Sequence, residues 1–157
     1  MRKSLLRLKQ SFVLAFAMLA AIGASAQTQI TDEAGLKAIA NDLAGSYVLA
    51  NDITLSEQWT PISTFTGTLD GAGHAIKGLR IAGGSPTGLF GETDGATIKN
   101  LRVVEAKVAD WGSSKKAGII VGWAKNTTIE ACFTSGVVEG NDHVGGIIGR
   151  LEGTMKN

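Results

Sequence analysis

Gly118-Ile119-Ile120-Val121-Gly122 is an aliphatic run held between two glycines, and it decides the fold because it recurs. Gly88-Leu89-Phe90-Gly91 precedes it and Gly145-Gly146-Ile147-Ile148-Gly149 follows it. A short turn leads from each closing glycine to a second element: Thr97-Ile98-Lys99-Asn100-Leu101, Thr128-Ile129-Glu130-Ala131-Cys132 and Thr154-Met155-Lys156-Asn157. Ala75-Ile76-Lys77-Gly78-Leu79 reads as an earlier, more divergent copy of that second element. The anchors Ile76, Ile98, Ile129 and Met155 then lie 22, 31 and 26 residues apart. A globular sandwich has no reason to recur in this way. A solenoid has, because each coil offers the same strand to the coil above it.

The chemistry of the repeat agrees. In a parallel stack, identical inward positions build aliphatic ladders, so Ile98, Leu101 and Val103 should lie over Ile129, Cys132 and Thr134. Glycines mark corners where the chain turns tightly or two backbones approach. Uneven spacing implies a constant core with variable loops, of which residues 109–117 form the clearest insertion. The expected fold is all-β, a right-handed parallel β-helix.

Upstream of the repeats, a short capping helix is expected over residues 32–43. Thr31 is its candidate cap, and Leu36, Ile39, Ala40 and Leu43 share one face. The first ten residues carry four basic side chains and no acid. An apolar run over residues 12–22 follows, too short for the ~20 residues of a spanning helix. Small side chains then stand at Ala24 and Ala26, the −3 and −1 positions of a cut before Gln27. These three parts make a secretory signal, cleaved between Ala26 and Gln27. The expected organisation is a signal peptide over 1–26, a helical cap over 27–46 and repeats over 47–157. Because 157 falls inside a repeat, further repeats or domains are expected beyond it.

Removing the signal takes four of the 15 basic residues, leaving 11 against 14 acids. The formal charge of +1 for the whole sequence becomes −3, and no basic patch suggests nucleic acid. No later segment is apolar and long enough to span a membrane. The single cysteine, Cys132, can form no internal disulfide and reads as a small buried apolar residue. Glycine supplies 21 residues, about twice its usual share, as a chain built of tight corners requires.

Tyr47-Val48-Leu49-Ala50-Asn51-Asp52-Ile53-Thr54-Leu55, then Trp59-Thr60-Pro61-Ile62 and Phe65-Thr66-Gly67-Thr68-Leu69-Asp70-Gly71, resemble bacterial surface proteins with GLUG-type repeats. Gly-Leu-Phe-Gly and Gly-Gly-Ile-Ile-Gly resemble the GLUG repeat itself. The resemblance covers residues 30–157. It implies a right-handed β-helix in large secreted or cell-surface proteins, adhesin-like proteins among them, and in the non-catalytic part of some secreted metallopeptidases. It supplies no catalytic residues, and the zinc signature His-Glu-x-x-His is absent.

Motifs for chemistry fail on inspection. Gly71-Ala72-Gly73-His74-Ala75-Ile76 begins like a dinucleotide loop, but Ile76 replaces the third glycine and no long helix follows. Gly83-Gly84-Ser85-Pro86-Thr87-Gly88 has the wrong spacing for a nucleophile elbow. His74 and His143 are the only histidines and lie far apart, so neither a metal site nor a cofactor is expected. Acids that could serve a polysaccharide lyase or hydrolase are Asp70, Glu92, Asp94, Asp110 and Glu130. However, the repeat aligns Glu92 and Asp94 with Trp123 and Lys125, then with Arg150 and Glu152, giving mixed charges and no acid pair.

That register also turns Trp123 outward. With Trp111, Lys115 and Lys116 of the inserted loop it forms a candidate ligand-binding surface, since flat aromatics stack on sugar faces. Trp59 is expected to pack beneath the cap. The expected role is a non-catalytic repeat module of an exported or outer-membrane-associated surface protein, binding surface glycans or host and matrix proteins. A carbohydrate-active β-helix enzyme and the non-catalytic front of a larger secreted protease are the competing expectations.

Overall fold

The computed structural model describes residues 26–110 and 116–153. Their strands, in chain order, begin with β1 (Thr28–Ile30), helix α1 (Glu33–Ala38), β2 (Ser46–Leu49), β3 (Ile53–Thr54) and β4 (Thr68–Asp70). Next come β5 (Ala75–Lys77), β6 (Arg80–Ala82), β7 (Phe90–Asp94), β8 (Thr97–Lys99) and β9 (Arg102–Asp110). The last are β10 (Lys116–Gly118), β11 (Val121–Lys125), β12 (Thr128–Glu130), β13 (Phe133–Gly140), β14 (His143–Gly145) and β15 (Ile148–Glu152).

Every strand pair is parallel, and each strand bonds to its equivalent one coil away. The product is a parallel β-solenoid of about four turns. Its first wall stacks β1, β2, β4, β8 and β12. The second stacks β3, β5, β9 and β13, with β6 also paired to the long β9. The third holds β7, β11 and β15, and a short fourth holds β10 and β14.

Inward positions form the expected ladders. Ile98 lies between Leu69 and Ile129, and Val103 lies between Ile76 and Thr134. Phe65 and Phe90 stack within the core at 4.7 Å between ring centroids. Trp59 is buried, and its Nε1 donates to the Leu89 carbonyl at 2.9 Å, so the indole fills the core without leaving its one donor unsatisfied.

The glycine-flanked aliphatic elements are corners between the fourth and third walls, and their glycines answer to space. A Cβ on Gly118 would collide with the Val121 carbonyl and stand 2.7 Å from the Gly149 nitrogen. One on Gly122 would collide with the Thr87 nitrogen and stand 2.8 Å from the Gly91 carbonyl oxygen. Two coils and two walls meet there backbone to backbone.

The structure corrects one repeat assignment. The first-wall partner of Ile98 in the preceding coil is Leu69, whereas Ile76 lies in the second wall against Ile53 and Val103. The confusion has a physical origin. Gly78 (φ 74°) before buried Leu79 and Asn100 (φ 52°) before buried Leu101 are the same kind of corner, a strand ending in a left-handed residue and an inward leucine. The solenoid uses that corner on two different walls, once in each of two successive coils. Met155 lies outside the described residues.

The amino-terminal helix is shorter than expected. Asp32, not Thr31, caps it by accepting from Gly35 N at 2.8 Å, and a 3₁₀ turn (Ile39–Asn41) follows. Leu36 and Ile39 are buried on the first coil, Leu43 packs against the core, and Ala40 is exposed. Ahead of the helix, β1 pairs with β2, so residues 28–30 already form a rung. Ala26 and Gln27 are exposed and outside regular structure; the remaining segment expected as a signal peptide, residues 1–25, lies outside the described residues.

Candidate functional site

The third wall carries the side chains that the sequence singles out. Strand alternation turns positions 92, 94, 123, 125, 150 and 152 outward, and the ladder sets Trp123 between Glu92 and Arg150 and Lys125 between Asp94 and Glu152. Lys116, one element upstream on β10, joins them: its Nζ lies 4.5 Å from the Trp123 ring centroid. Lys125 Nζ lies at 3.7 Å and the Arg150 guanidinium at 5.3 Å. Trp111 and Lys115 lie outside the described residues.

Three cations around one indole give cation–π attraction of roughly 0.5–1 kcal/mol each at exposed sites. Two of them are held further by carboxylates, since Lys125 Nζ is 2.7 Å from Glu92 Oε1 and Arg150 is 2.7 Å from Glu152. Trp123 itself is half-buried, and its Nε1–H is covered without an acceptor among the described residues. The chain's own cations therefore compete for the ring. A sugar stacking on Trp123 must displace an ammonium group first.

Three of the candidate acids, Asp70, Glu92 and Asp94, each contact a residue of the next coil. Asp70 binds Lys99 at 3.3 Å and accepts from Asn100 Nδ2 at 3.0 Å, one coil away. These partners, with the Ala72 amide, hold its carboxyl below the ordinary value although burial pushes the other way. Asp94 accepts from Asn126 Nδ2 at 3.2 Å, also across one coil. Glu130 is exposed, and Asp110 is fully buried at the end of β9. Asp70, Glu92 and Asp94 thus serve as struts between rungs, the first on one wall and the other two on another. Beneath the wall, the buried Thr93 and Thr127 hydroxyls meet at 2.8 Å, and Thr127 Oγ1 lies 2.7 Å from the Lys125 carbonyl, satisfying polar groups inside the stack.

Among the described residues, no group of three or more His, Cys, Asp or Glu side chains is placed to hold a metal ion. Cys132 is partly buried, its Sγ 3.3 Å from the Glu130 carbonyl, and burial pushes its thiol above the ordinary value. A thiol so placed is a weak nucleophile. No helix among the described residues is long and apolar enough to cross a membrane.

Over 147 residues the chain is 35% identical to halomucin of Haloquadratum walsbyi. The match takes in 79% of this chain and 2% of halomucin, so the chain spans a small fraction of that relative's length. No protein-family model matches the chain, and no solved structure matches it.

One feature escapes sequence reading. Arg80 and Lys107 lie side by side on the outer face of the second wall, because the long β9 pairs with β6 as well as with β5. No shared motif links the two residues; only the strand register brings them together.

Proposed function

We propose that this chain is a non-catalytic repeat module of an exported cell-surface protein, whose outer walls bind ligands. The likeness to halomucin carries the reading, since it matches a parallel solenoid to a short stretch of a far longer archaeal surface protein. The disposition of the acids supports it. A glycosidase needs two carboxyl groups facing one substrate bond, about 5–10 Å apart. Here Asp70 and Glu92 are each tied to a cation of the next coil. The winding is right-handed, as for nearly all parallel crossovers, and the glycine-flanked corners are GLUG-type repeats.

Export rests on the amino-terminal signal, cut before Gln27. Because β1 begins at Thr28, that cut leaves the first rung whole. Lys116 and Trp123, with Trp111 and Lys115 of the inserted loop, are the proposed ligand contact. A surface glycan or matrix protein reaching Trp123 takes the place of Lys116 or Lys125 on the ring.

Two measurements test this. The protein recovered from the cell exterior should begin at Gln27 by amino-terminal sequencing; intracellular retention with Met1 intact would overturn export. Purified protein should release no reducing sugar from a polysaccharide panel. Turnover that is lost in Asp70→Asn or Glu92→Gln would establish the enzyme reading instead.

A further inference from the structure

The walls differ in how charge runs along the stack. On the first wall the column Asp70–Lys99–Glu130 alternates in sign, and on the third Asp94–Lys125–Glu152 does the same. On the second wall the corresponding columns are Arg80–Lys107–Val137 and Ala75–Arg102–Phe133. They hold cations and no acid.

Arg80, Arg102 and Lys107 are all exposed, and none has an ion-pair partner among the described residues. Directly paired like charges destabilise a sheet, and rungs ~4.8 Å apart keep the stems of Arg80 and Lys107 close. The fold thus retains a local repulsion that an external anion would relieve. The surroundings suit a chain-like ligand. A shallow depression lined by Gln58, Arg80, Ala82 and Lys107 runs into a second one lined by Lys107, Ala109, Val137 and Glu139. The small Ala82 and Ala109 pair in register and leave the floor open. Phe133 and Val137, each 53% exposed, offer apolar contact beside Arg102 and Lys107. Glu105 and Glu139 are the exposed carboxylates on β9 and β13, and each stands outside the Arg80–Lys107 column.

We infer that this groove binds a linear polyanionic polysaccharide, its sulfate or carboxylate groups bridging Arg80 and Lys107 and its sugar rings resting on Ala82, Ala109 and Val137. Arg80 and Lys107, one on each of two successive rungs ~4.8 Å apart, present charge at a repeat comparable with one sugar unit. The inference is independent of the Trp123 contact, which lies on another wall, and of the surface location.

The test uses the purified chain with dextran sulfate, polygalacturonate, neutral dextran and double-stranded DNA as probes. Dextran sulfate, polygalacturonate or both should bind, neutral dextran should not, and affinity should fall steeply as salt rises. Arg80→Gln with Lys107→Gln should weaken binding at least tenfold while circular dichroism stays unchanged and Tm does not fall, since the repulsion between the two cations is removed. Lys37→Gln with Lys99→Gln removes the same charge elsewhere and should cost less than threefold. Equal losses in the two double variants would reduce the effect to net charge and overturn the site. Failure of both polyanionic glycans would overturn it too, as would tighter binding of DNA. Trp123→Ala should leave this binding intact, so loss of the Trp123 contact and loss of the groove are told apart.

Discussion

Ile98 and Ile148 are both isoleucines on rungs of the same solenoid, yet Ile98 is completely buried and Ile148 is only partly so. The contrast holds along most of the last coil, although Ile129 on its first rung stays buried beside Ile98. In the third coil Leu101, Val103 and Val121 are fully buried. Their counterparts one coil on, Cys132, Thr134 and Ile148, are half-buried, and Val144 and Leu151 are 41% and 39% exposed. The strands, corners and register are shared, so local sequence does not make the difference. In a stack, a rung is buried by the rung on either side, and among the described residues the last coil has a neighbour on one side only. Burial here is a property of position in the column.

The largest effect should come from adding a Cβ where two coils touch. Gly122→Val drives side-chain atoms into the Thr87 nitrogen and the Gly91 carbonyl, neither of which can move without unpairing a rung. Overpacking of this kind costs about 1–3 kcal/mol or more, and here it should prevent folding, read as loss of the cooperative urea transition. Gly146→Ala in the last coil meets only Thr134 Oγ1, at 3.8 Å, and should shift the midpoint little. If both variants fold with similar midpoints, close backbone approach does not explain the repeated glycines.

Truncating the aliphatic ladder comes next. Ile98→Ala removes a side chain packed between Leu69 and Ile129 and should cost about 2–5 kcal/mol in urea unfolding. Ile148→Ala, already in partial contact with solvent, should cost less than half as much. Equal costs would show that the last coil is covered in solution. That outcome would turn the comparison into evidence for a partner on that face.

How far the sequence discloses this arrangement follows from the same logic. The columns Glu92–Trp123–Arg150 and Ile98–Ile129 are legible because flanking glycines frame them and fix the count of residues between. Ile76 is misplaced because Gly78-Leu79 and Asn100-Leu101 build the same corner at different points of the coil, and local pattern carries no address. The Arg80–Lys107 pair is invisible because Gly78 and Gly83 frame β6, whereas its partner β9 carries no glycine to set a matching count and is met only in its far half. Trp123 is legible as an outward residue, but not as one ringed by cations. Lys116 reaches it from a different wall, and Lys125 and Arg150 reach it from along and across the strand.

Smaller effects should follow charge. Lys99 lies between two acids in its column, whereas Arg150 has Trp123 on its one described side. Lys99→Glu would set three acids in a row and should destabilise by about 1 kcal/mol, less in high salt. Arg150→Glu loses a cation–π contact and its exposed pair with Glu152 but gains no stacked acid, and since exposed pairs of this kind contribute little its effect should be smaller. A cost for Arg150→Glu equal to that for Lys99→Glu would mean that column position does not govern charge.

The smallest effect should appear in acid, at the opposite end of the stack. Lys37, followed by the Ser56 amide and hydroxyl, holds the Glu33 carboxyl at about 2 against an ordinary 4.5. Lys77 and the Ala75 amide hold Asp52 at about 2 against 3.8. A carboxylate whose pKa is lowered by folding contributes stability that is fully present above its unfolded value and is lost as pH falls through its folded value. Both contributions should therefore be intact at pH 6, decline below about pH 4.5 and be largely gone near pH 2. Both groups tie the first coil, Glu33 to the turn at Ser56 and Asp52 to β5. Amide exchange, corrected for the intrinsic effect of pH, should accelerate over residues 33–38 and 53–56 before it does so over β8 and β9. Because Lys37, Asp52 and Lys77 are well exposed, screening should keep the shift modest and make it shrink in salt. If β8 and β9 open together with the first coil at the same pH, the stack unfolds as one unit. Acid then acts on the whole column, and not through Glu33 and Asp52 at its amino end.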